Sequence, residues 1–144
     1  MLFAKAARRR NVAPPARPWT GSPPEHSEVK LATMTYFATI ALGPLPPLFV
    51  YVTRRRTSPF LHWHAVQALN VALTGALYGL CLAIVGGLLS LDKLSTALGV
   101  AIPVLVIGWA IVGTHLARAA MAASRAGYVE IPAWICSPFV TYRQ

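Results

Sequence analysis

The chain has 144 residues, of which 56% are hydrophobic and 12% are charged, and its formal net charge is +9. Soluble domains carry about 25% charged residues, so this composition argues against an ordinary soluble protein. A surplus of 13 Lys/Arg over 4 Asp/Glu would indicate nucleic-acid binding in a soluble protein. Here the arginines form short runs beside apolar stretches, which is typical of a membrane protein with cationic flanks facing anionic headgroups. We expect membrane lipids as partners and no nucleic acid.

The N-terminal region is basic and rich in proline. It has three arginines at positions 8–10, five prolines and few large apolar residues. Such a segment buries too little apolar surface to offset the entropy lost on ordering it. The predicted division is a disordered tail over residues 1–32, a three-helix transmembrane domain over residues 33–125 and an interfacial C-terminal tail over residues 126–144.

The first uncharged stretch, from Leu31 to Thr53, is long enough to span a bilayer. The sequence Gly43-Pro44-Leu45-Pro46-Pro47 interrupts it. Proline lacks the backbone N–H and kinks helices, so we predict a span broken at this point. A re-entrant hairpin, which enters and leaves on the same side, is the alternative.

The second uncharged stretch runs from Thr57 to Leu91. Ser58 suits a helix N-cap and Pro59 the first helical position, so a helix is predicted to begin here. As a helix, the stretch would extend about 50 Å, against a hydrocarbon core of about 30 Å. We therefore predict that its polar first third lies at the membrane surface as an interfacial amphipathic segment and that its apolar remainder crosses.

A polar stripe follows one face of this second helix into the apolar region. Polar side chains at such depth usually face other protein, and small residues allow helices to approach closely. The alternatives are a partner-binding patch and an interhelical hydrogen-bond network that only fixes packing. The residues predicted to serve helix packing or partner binding are His64, Gln67, Asn70, Thr74, Gly75, Tyr78, Gly79 and, on the third span, His115.

A third span is predicted from Leu94 to about Ala117, after a tight extracytoplasmic turn at Asp92 and Lys93. Arginines beside span ends mark the cytoplasmic side and contact lipid headgroups. Three full spans would put the C-terminus in the cytoplasm and the N-terminus outside, against the preference of the arginines at 8–10; a re-entrant first segment would remove that conflict. The predicted topology and headgroup residues are Arg54, Arg55, Arg56, Arg118 and Arg125.

The sequence His64-Ala-Val-Gln-Ala-Leu-Asn70 resembles a family of small bacterial membrane proteins of unknown function. That family is distantly similar to the Tic import-channel component of the chloroplast inner envelope. The resemblance covers about residues 33–135 and implies a three-helix fold in the bacterial plasma membrane, with at most a role near protein translocation. Its other elements are Gly43 to Pro46, the basic loop at 54–56, Ser58-Pro59-Phe60, Arg125 to Tyr128, and Pro132.

No reaction is predicted. The spans contain no carboxylate, and the chain has no recognisable Ser/His/Asp or Cys/His set and no metal-type Cys/His spacing. No catalytic, cofactor or metal site and no small-molecule substrate is therefore expected. Ligation of one b-type haem between His64 and His115 is a remote alternative.

The sequence thus predicts an all-α polytopic membrane protein with three transmembrane helices. Small size, small-residue helix faces and a polar stripe favour an accessory or scaffold subunit of a larger membrane complex, contacting other subunits or itself. The alternative is a self-associating pore or protein-translocation component, which three helices would form only as an oligomer. An enzyme or redox carrier is the third hypothesis.

Overall fold

A computed structural model describes residue 19 and residues 22–54 and 56–141, and all secondary structure in that part of the chain is helical. The residues after α3 follow an irregular path. The helices are α1 (His26–Leu42), α2 (Leu45–Arg54) and α3 (Pro59–Ala123).

The start of α1 lies inside the predicted N-terminal tail. Glu25 is the N-cap, and its backbone N–H donates to the Glu28 carboxylate at 3.1 Å. This bond satisfies one of the free backbone donors at the helix start. The first helix therefore begins at His26. The arginines at positions 8–10 lie outside the described residues.

The predicted break at the first proline cluster is confirmed. α1 ends at Leu42 and α2 begins at Leu45. Gly43 between them has φ 66° and ψ −135°, a conformation that is accessible essentially to glycine alone. Its N–H still donates to the carbonyl of Thr39 at 2.9 Å, so the break follows directly on the last turn of α1.

α3 is a helical hairpin. A straight helix of 65 residues would be roughly 100 Å long. Instead, a Cβ placed on Gly86 would lie 3.9 Å from the Cβ of Ala101, so the chain reverses direction between them. We call Pro59–Leu91 the first arm and Leu94–Ala123 the second arm. The reversal agrees with the predicted turn, and both arms are long and apolar enough to cross a membrane.

α1 and α2 form a second, shorter hairpin. Glu28 lines a cavity with Phe60, near the start of the first arm, whereas Gly43 lines one with Gly75, several turns further along. α1 therefore runs in the same direction as the first arm. α2 must return along it, because only four residues separate the end of α2 from the start of α3.

The structure does not confirm three spans. α1 has 17 residues and α2 has 10, and they run in opposite directions. In the described part of the chain, two segments have the length and hydropathy of a span, and both belong to α3. The three-span prediction treated the apolar run from Leu31 to Thr53 as one crossing, whereas the conformation of Gly43 turns it back.

The core lies at the end of the molecule where both hairpins begin and end. We call this region the base: the first arm up to Thr74, the second arm from Leu116, α1, α2 and the C-terminal segment (residues 127–141). The first third of the stretch from Thr57 to Leu91 was predicted to lie at the membrane surface. In the structure both of its faces are covered by protein: Leu61 and Ala65 on one side are as buried as His64 and Gln67 on the other. An amphipathic segment at a surface would leave its polar face uncovered.

Gly43→Ala is predicted to destabilise the protein by about 1–3 kcal/mol, because a Cβ is incompatible with its backbone angles. Thermal unfolding in mild detergent would register the loss as a lower Tm. Gly99→Ala is the matched control, since Gly99 is helical and a Cβ there meets nothing within 4 Å. An equal response of the two variants would contradict the strained turn.

Candidate functional site

The polar stripe of the first arm contacts the C-terminal segment. The Gln67 side-chain amide donates to the carbonyl of Val129 at 2.8 Å. Asn70 makes a pair of bonds with one residue: its amide donates to the Val140 carbonyl at 2.9 Å, and its oxygen accepts from the Val140 N–H at 2.8 Å. Two side chains one helical turn apart therefore fix both ends of the segment.

The stripe continues with two hydroxyl groups. Thr74 accepts a hydrogen bond from the N–H of Ser137 at 3.0 Å and donates to the carbonyl of Asn70 at 2.8 Å. One turn further, the Tyr78 hydroxyl donates to the Trp134 carbonyl at 2.8 Å. The stripe thus pairs with backbone groups that an irregular segment would otherwise leave without partners.

Apolar contacts complete this docking. Ile131 and Ile135 of the segment are 5% and 2% exposed and belong to the same core cluster as Leu61 and Leu116. Burying two isoleucines supplies roughly 3–6 kcal/mol as an upper estimate from transfer data. The side-chain amides therefore set the register of a segment that apolar burial holds in place.

A second hydrogen-bond network links the stripe to α1. The Tyr36 hydroxyl donates to the Gln67 oxygen and lies 2.9 Å from Nδ1 of His64. Because the Gln67 amide nitrogen must face the Val129 carbonyl, its oxygen faces Tyr36 and takes that hydroxyl proton. His64 must then carry its proton on Nδ1 and donate to the Tyr36 oxygen. The network fixes the tautomer of a fully buried imidazole.

Four aromatic rings enclose His64. The ring-centre distances are 4.5 Å to Phe60, 5.7 Å to both Trp19 and Tyr36, and 5.9 Å to Tyr128. These rings come from the residues before α1, from α1 itself, from the first arm and from the C-terminal segment. His64 therefore lies where rings from four separate stretches of the chain meet, which is a packing role.

Burial changes the acidity of two groups in the C-terminal segment. It raises the pKa of the Cys136 thiol to about 11. Burial first, and then the neighbouring charges of Cys136 and Glu130, raise the pKa of Tyr128 to about 12. The Cys136 thiol also donates to the carbonyl of Gln67 at 3.6 Å. Both groups stay protonated at neutral pH, and Cys136 is a packing group rather than a nucleophile.

The other predicted site residues do not lie together in the structure. A Cβ on Gly75 or Gly79 would meet nothing within 4 Å, so these glycines stay open on the arm surface. His115 is half-buried, with its ring 6.4 Å from that of Trp134. Arg55 lies outside the described residues. The exposed predicted arginines, all at the base, are Arg54, Arg56, Arg118 and Arg125.

Within the described residues there is no group of three or more His, Cys, Asp or Glu side chains that could hold a metal ion. The site is a hydrogen-bonded docking surface. Sequence reasoning missed Tyr36 and the C-terminal segment as its partners. One signal pointed to the segment: residues 131–142 are apolar yet too short to span, so they need protein or the interface to cover them.

Asn70→Leu is predicted to release the end of the C-terminal segment. It removes two hydrogen bonds worth about 1 kcal/mol each, which corresponds to a ten- to thirtyfold higher open population. Limited chymotrypsin cleavage within the segment would measure this. Thr114→Val is the control, because the Thr114 hydroxyl donates at 2.7 Å only to its own helix, at Ile111. Equal cleavage of both variants would refute the docking role of Asn70.

Docking of the segment is predicted to weaken in alkali. The folded protein holds the protons of Cys136 and Tyr128 more tightly than the unfolded chain does. Their contribution to the stability of the folded state is therefore complete below the usual thiol pKa of 9.0. It is lost as the pH rises towards about 11. Tm measured against pH should therefore fall over this window, and less so in Cys136→Ala. Parallel curves for the two proteins would contradict the assignment to Cys136.

Comparison with known proteins assigns the chain to a family. A family model described as the magnetosome magnetite crystal formation protein family, MamF/MmsF, matches residues 27–140. No curated protein and no solved structure matches the chain. The expected likeness to the Tic import component therefore finds no support, whereas the expectation of a small bacterial membrane protein family is met. The matched region contains both hairpins and nearly all of the C-terminal segment, and the chain belongs to the MamF/MmsF family.

Proposed function

We propose that this chain is a non-enzymatic integral membrane protein that acts as an accessory or scaffold subunit of a magnetosome-type membrane. The observation that carries the proposal is the exposure of the α3 hairpin. In the most apolar 18-residue stretch of each arm, only 11% is buried inside the protein in the first arm and none in the second. Lipid or other membrane proteins must cover these surfaces, because water would oppose such extensive apolar exposure.

The depth of the hairpin supports this role. About 20 helical residues cross a 30 Å hydrocarbon core. Counted along each arm from the reversal, the hydrocarbon region therefore covers roughly residues 72–91 and 94–113. His64 and Gln67 then lie at headgroup depth, and the basic side chains of Arg118 and Arg125 lie just outside the core. The base is a folded headgroup-level unit that the hairpin anchors.

If α1 and α2 form the re-entrant hairpin, the described arginines Arg54, Arg56, Arg118 and Arg125 lie on the same side of the membrane. With α1 and α2 as a hairpin, the start of α1, the end of α2 and the arginines at the end of the second arm share the side of the base. Because arginines beside span ends mark the cytoplasmic side, we assign the base and the C-terminal segment to the cytoplasmic side of the bacterial plasma membrane or of a membrane derived from it.

The link to crystal formation comes from the family alone. Iron at a mineral surface is held by oxygen ligands, above all carboxylates. This chain has 4 Asp/Glu against 13 Lys/Arg. We therefore place its contribution in organising the membrane and its proteins rather than in holding iron.

Self-association is the second candidate function, and one feature favours it. A groove of about 220 Å³ lies between the arms, lined by Gly75 and Gly79 on one side and Gly108 and Trp109 on the other. Small residues let another helix approach closely. A translocation role loses its basis with the Tic resemblance.

Membrane sidedness tests the arrangement. Single cysteines placed at Ser22, Thr57 and Ser95 of a chain lacking Cys81 and Cys136 should label differently with an impermeant maleimide. In the re-entrant arrangement, the first two label from one side and the third from the other. If Ser22→Cys labels together with Ser95→Cys instead, the first apolar stretch crosses the membrane and the arrangement is wrong.

Native gel electrophoresis with mass spectrometry tests the scaffold role. The tagged chain, gently solubilised at native expression, should migrate in a large band with unrelated membrane proteins or as a multiple of 15.5 kDa. Gly79→Leu, which fills the groove, should lower the associated fraction roughly tenfold. Gly87→Leu is the control, because Gly87 is equally open but does not line the groove.

Two results would count against the scaffold role. A monodisperse, partner-free chain from native membranes would overturn it. If both leucine variants associate like the unaltered chain, association does not use the groove.

A further inference from the structure

The α1–α2 hairpin separates its charged residues from its apolar residues along its length. Its open end lies at the base, where α1 begins and α2 ends, and its closed end is the turn at Gly43. The carboxylate, ammonium and guanidinium groups of the two helices belong to Glu28, Lys30 and Arg54, which all lie towards the open end. The stretch from Leu31 to Thr53 has none. A hairpin of this kind presents charge to headgroups and an apolar closed end to acyl chains.

The side chains at the closed end are apolar and exposed. Leu42 and Leu45, on either side of the turn, are 63% and 68% exposed, and Phe49 is 70% exposed. The buried Thr39 hydroxyl, one turn before the closed end, donates to the carbonyl of Thr35 in its own helix at 2.7 Å and so needs no water. Acyl chains would therefore cover this end of the hairpin at a lower free energy than water.

The backbone of the closed end also has few free hydrogen-bond donors. A helix that begins in an apolar medium normally leaves about four N–H groups without partners. At the start of α2, however, Pro44, Pro46 and Pro47 have no N–H. The N–H of Leu48 donates to the carbonyl of Pro44 at 3.1 Å. The prolines that break the apolar stretch therefore also allow the break to lie among acyl chains.

The closed end reaches only a shallow depth in the membrane. Gly43 and Pro44 line a cavity of about 180 Å³ together with Gly75 of the first arm and Trp109 of the second. By the count of helical residues given above, these two arm residues lie about 5 Å inside the hydrocarbon region, whose midplane is about 15 Å deep. The hairpin therefore enters the leaflet on the side of the base, which we call the near leaflet, and ends within it.

The protein is wider in the near leaflet than in the far leaflet. In the part of the chain that the structure describes, α1, α2 and both arms share the near leaflet, and only the arms continue into the far one. Two additional helices, each about 10–12 Å across, add roughly 200 Å² of cross-section. The C-terminal segment adds more, because the Tyr78 hydroxyl, which lies inside the hydrocarbon region by the same count, donates to the Trp134 carbonyl at 2.8 Å.

We propose that the α1–α2 hairpin is a wedge in a single leaflet, and that it makes the protein favour membranes whose near leaflet is convex. The wedge rests on the re-entrant arrangement of the proposed function. Extra area in one leaflet spreads its lipids, and bending that makes this leaflet convex relieves the spreading, as for amphipathic helices that respond to curvature. The partner of this surface is therefore the acyl region of a convex leaflet, such as the outer leaflet of a small vesicle.

The two orientations of the same protein provide the test. The full chain without Cys81 and Cys136 is reconstituted in giant vesicles of phosphatidylcholine, whose headgroup has no net charge, and a narrow tube is drawn from each vesicle. An impermeant fluorescent maleimide added outside labels Thr57→Cys where the base faces outward and Ser95→Cys where it faces inward. Per unit membrane area, the outward-facing copies should be enriched about fivefold in the tube and the inward-facing copies depleted.

Two pairs of exposed leucines give matched variants. Leu42→Ala with Leu45→Ala narrows the closed end and should lower the enrichment about twofold. Leu88→Ala with Leu91→Ala narrows the far end of the first arm instead and should not lower it. Leu88 and Leu91 are 64% and 85% exposed, so both pairs of substitutions are expected to leave the Tm unchanged.

Equal partition of the two orientations into the tube overturns the wedge, and so does an equal loss of enrichment in both leucine pairs. Maleimide labelling distinguishes this failure from a failure of the re-entrant arrangement. If Ser22→Cys labels together with Thr57→Cys, the arrangement holds, and equal partition overturns the wedge alone. If Ser22→Cys labels together with Ser95→Cys, the first apolar stretch crosses the membrane, and the arrangement and the wedge are both wrong.

Discussion

The structure depends on one constraint: polar side chains on a helix that enters an apolar medium must find hydrogen-bond partners. The stripe from Gln67 to Tyr78 meets this constraint through the backbone of the C-terminal segment. The segment has the reciprocal need, because an irregular chain has free N–H and C=O groups. Each satisfies the other, so neither the register of the segment nor the depth of the stripe can change alone.

The base and the outer arms differ in the interactions that their side chains make. In the base, direction-dependent hydrogen bonds around Tyr36 and His64 select one arrangement. Along the outer arms, apolar side chains such as Leu88 and Leu91 are exposed and make few specific contacts within the chain. A rigid base with an adaptable anchor is a suitable construction for a scaffold, since partners can cover the arms without disturbing the packing of the base.

Several local features could be predicted from the sequence because short-range chemistry decides them. Ser58 caps α3, its hydroxyl accepting from the Leu61 N–H at 3.2 Å, and the break at Gly43 and the reversal between Gly86 and Ala101 follow from breaker and charge signals. Periodicity also placed the polar side chains from Gln67 to Tyr78 in one stripe along the first arm. It could not show which segment covers it, because the contact from Asn70 to Val140 joins residues far apart in sequence. The predicted number of spans was not confirmed for a related reason: hydropathy measures how apolar a run is, and not where the backbone reverses.

The reversal at Gly43 also determines where the charged residues of this chain lie relative to its apolar arms. One glycine brings the start of α1 and the end of α2 to the same end as the second-arm arginines, so the cationic surface is concentrated at the base. Such a surface attracts anionic headgroups and repels free metal cations. A chain of this charge is therefore suited to contacting anionic lipid headgroups at its base, whereas its 4 Asp/Glu offer few oxygen ligands to a metal cation.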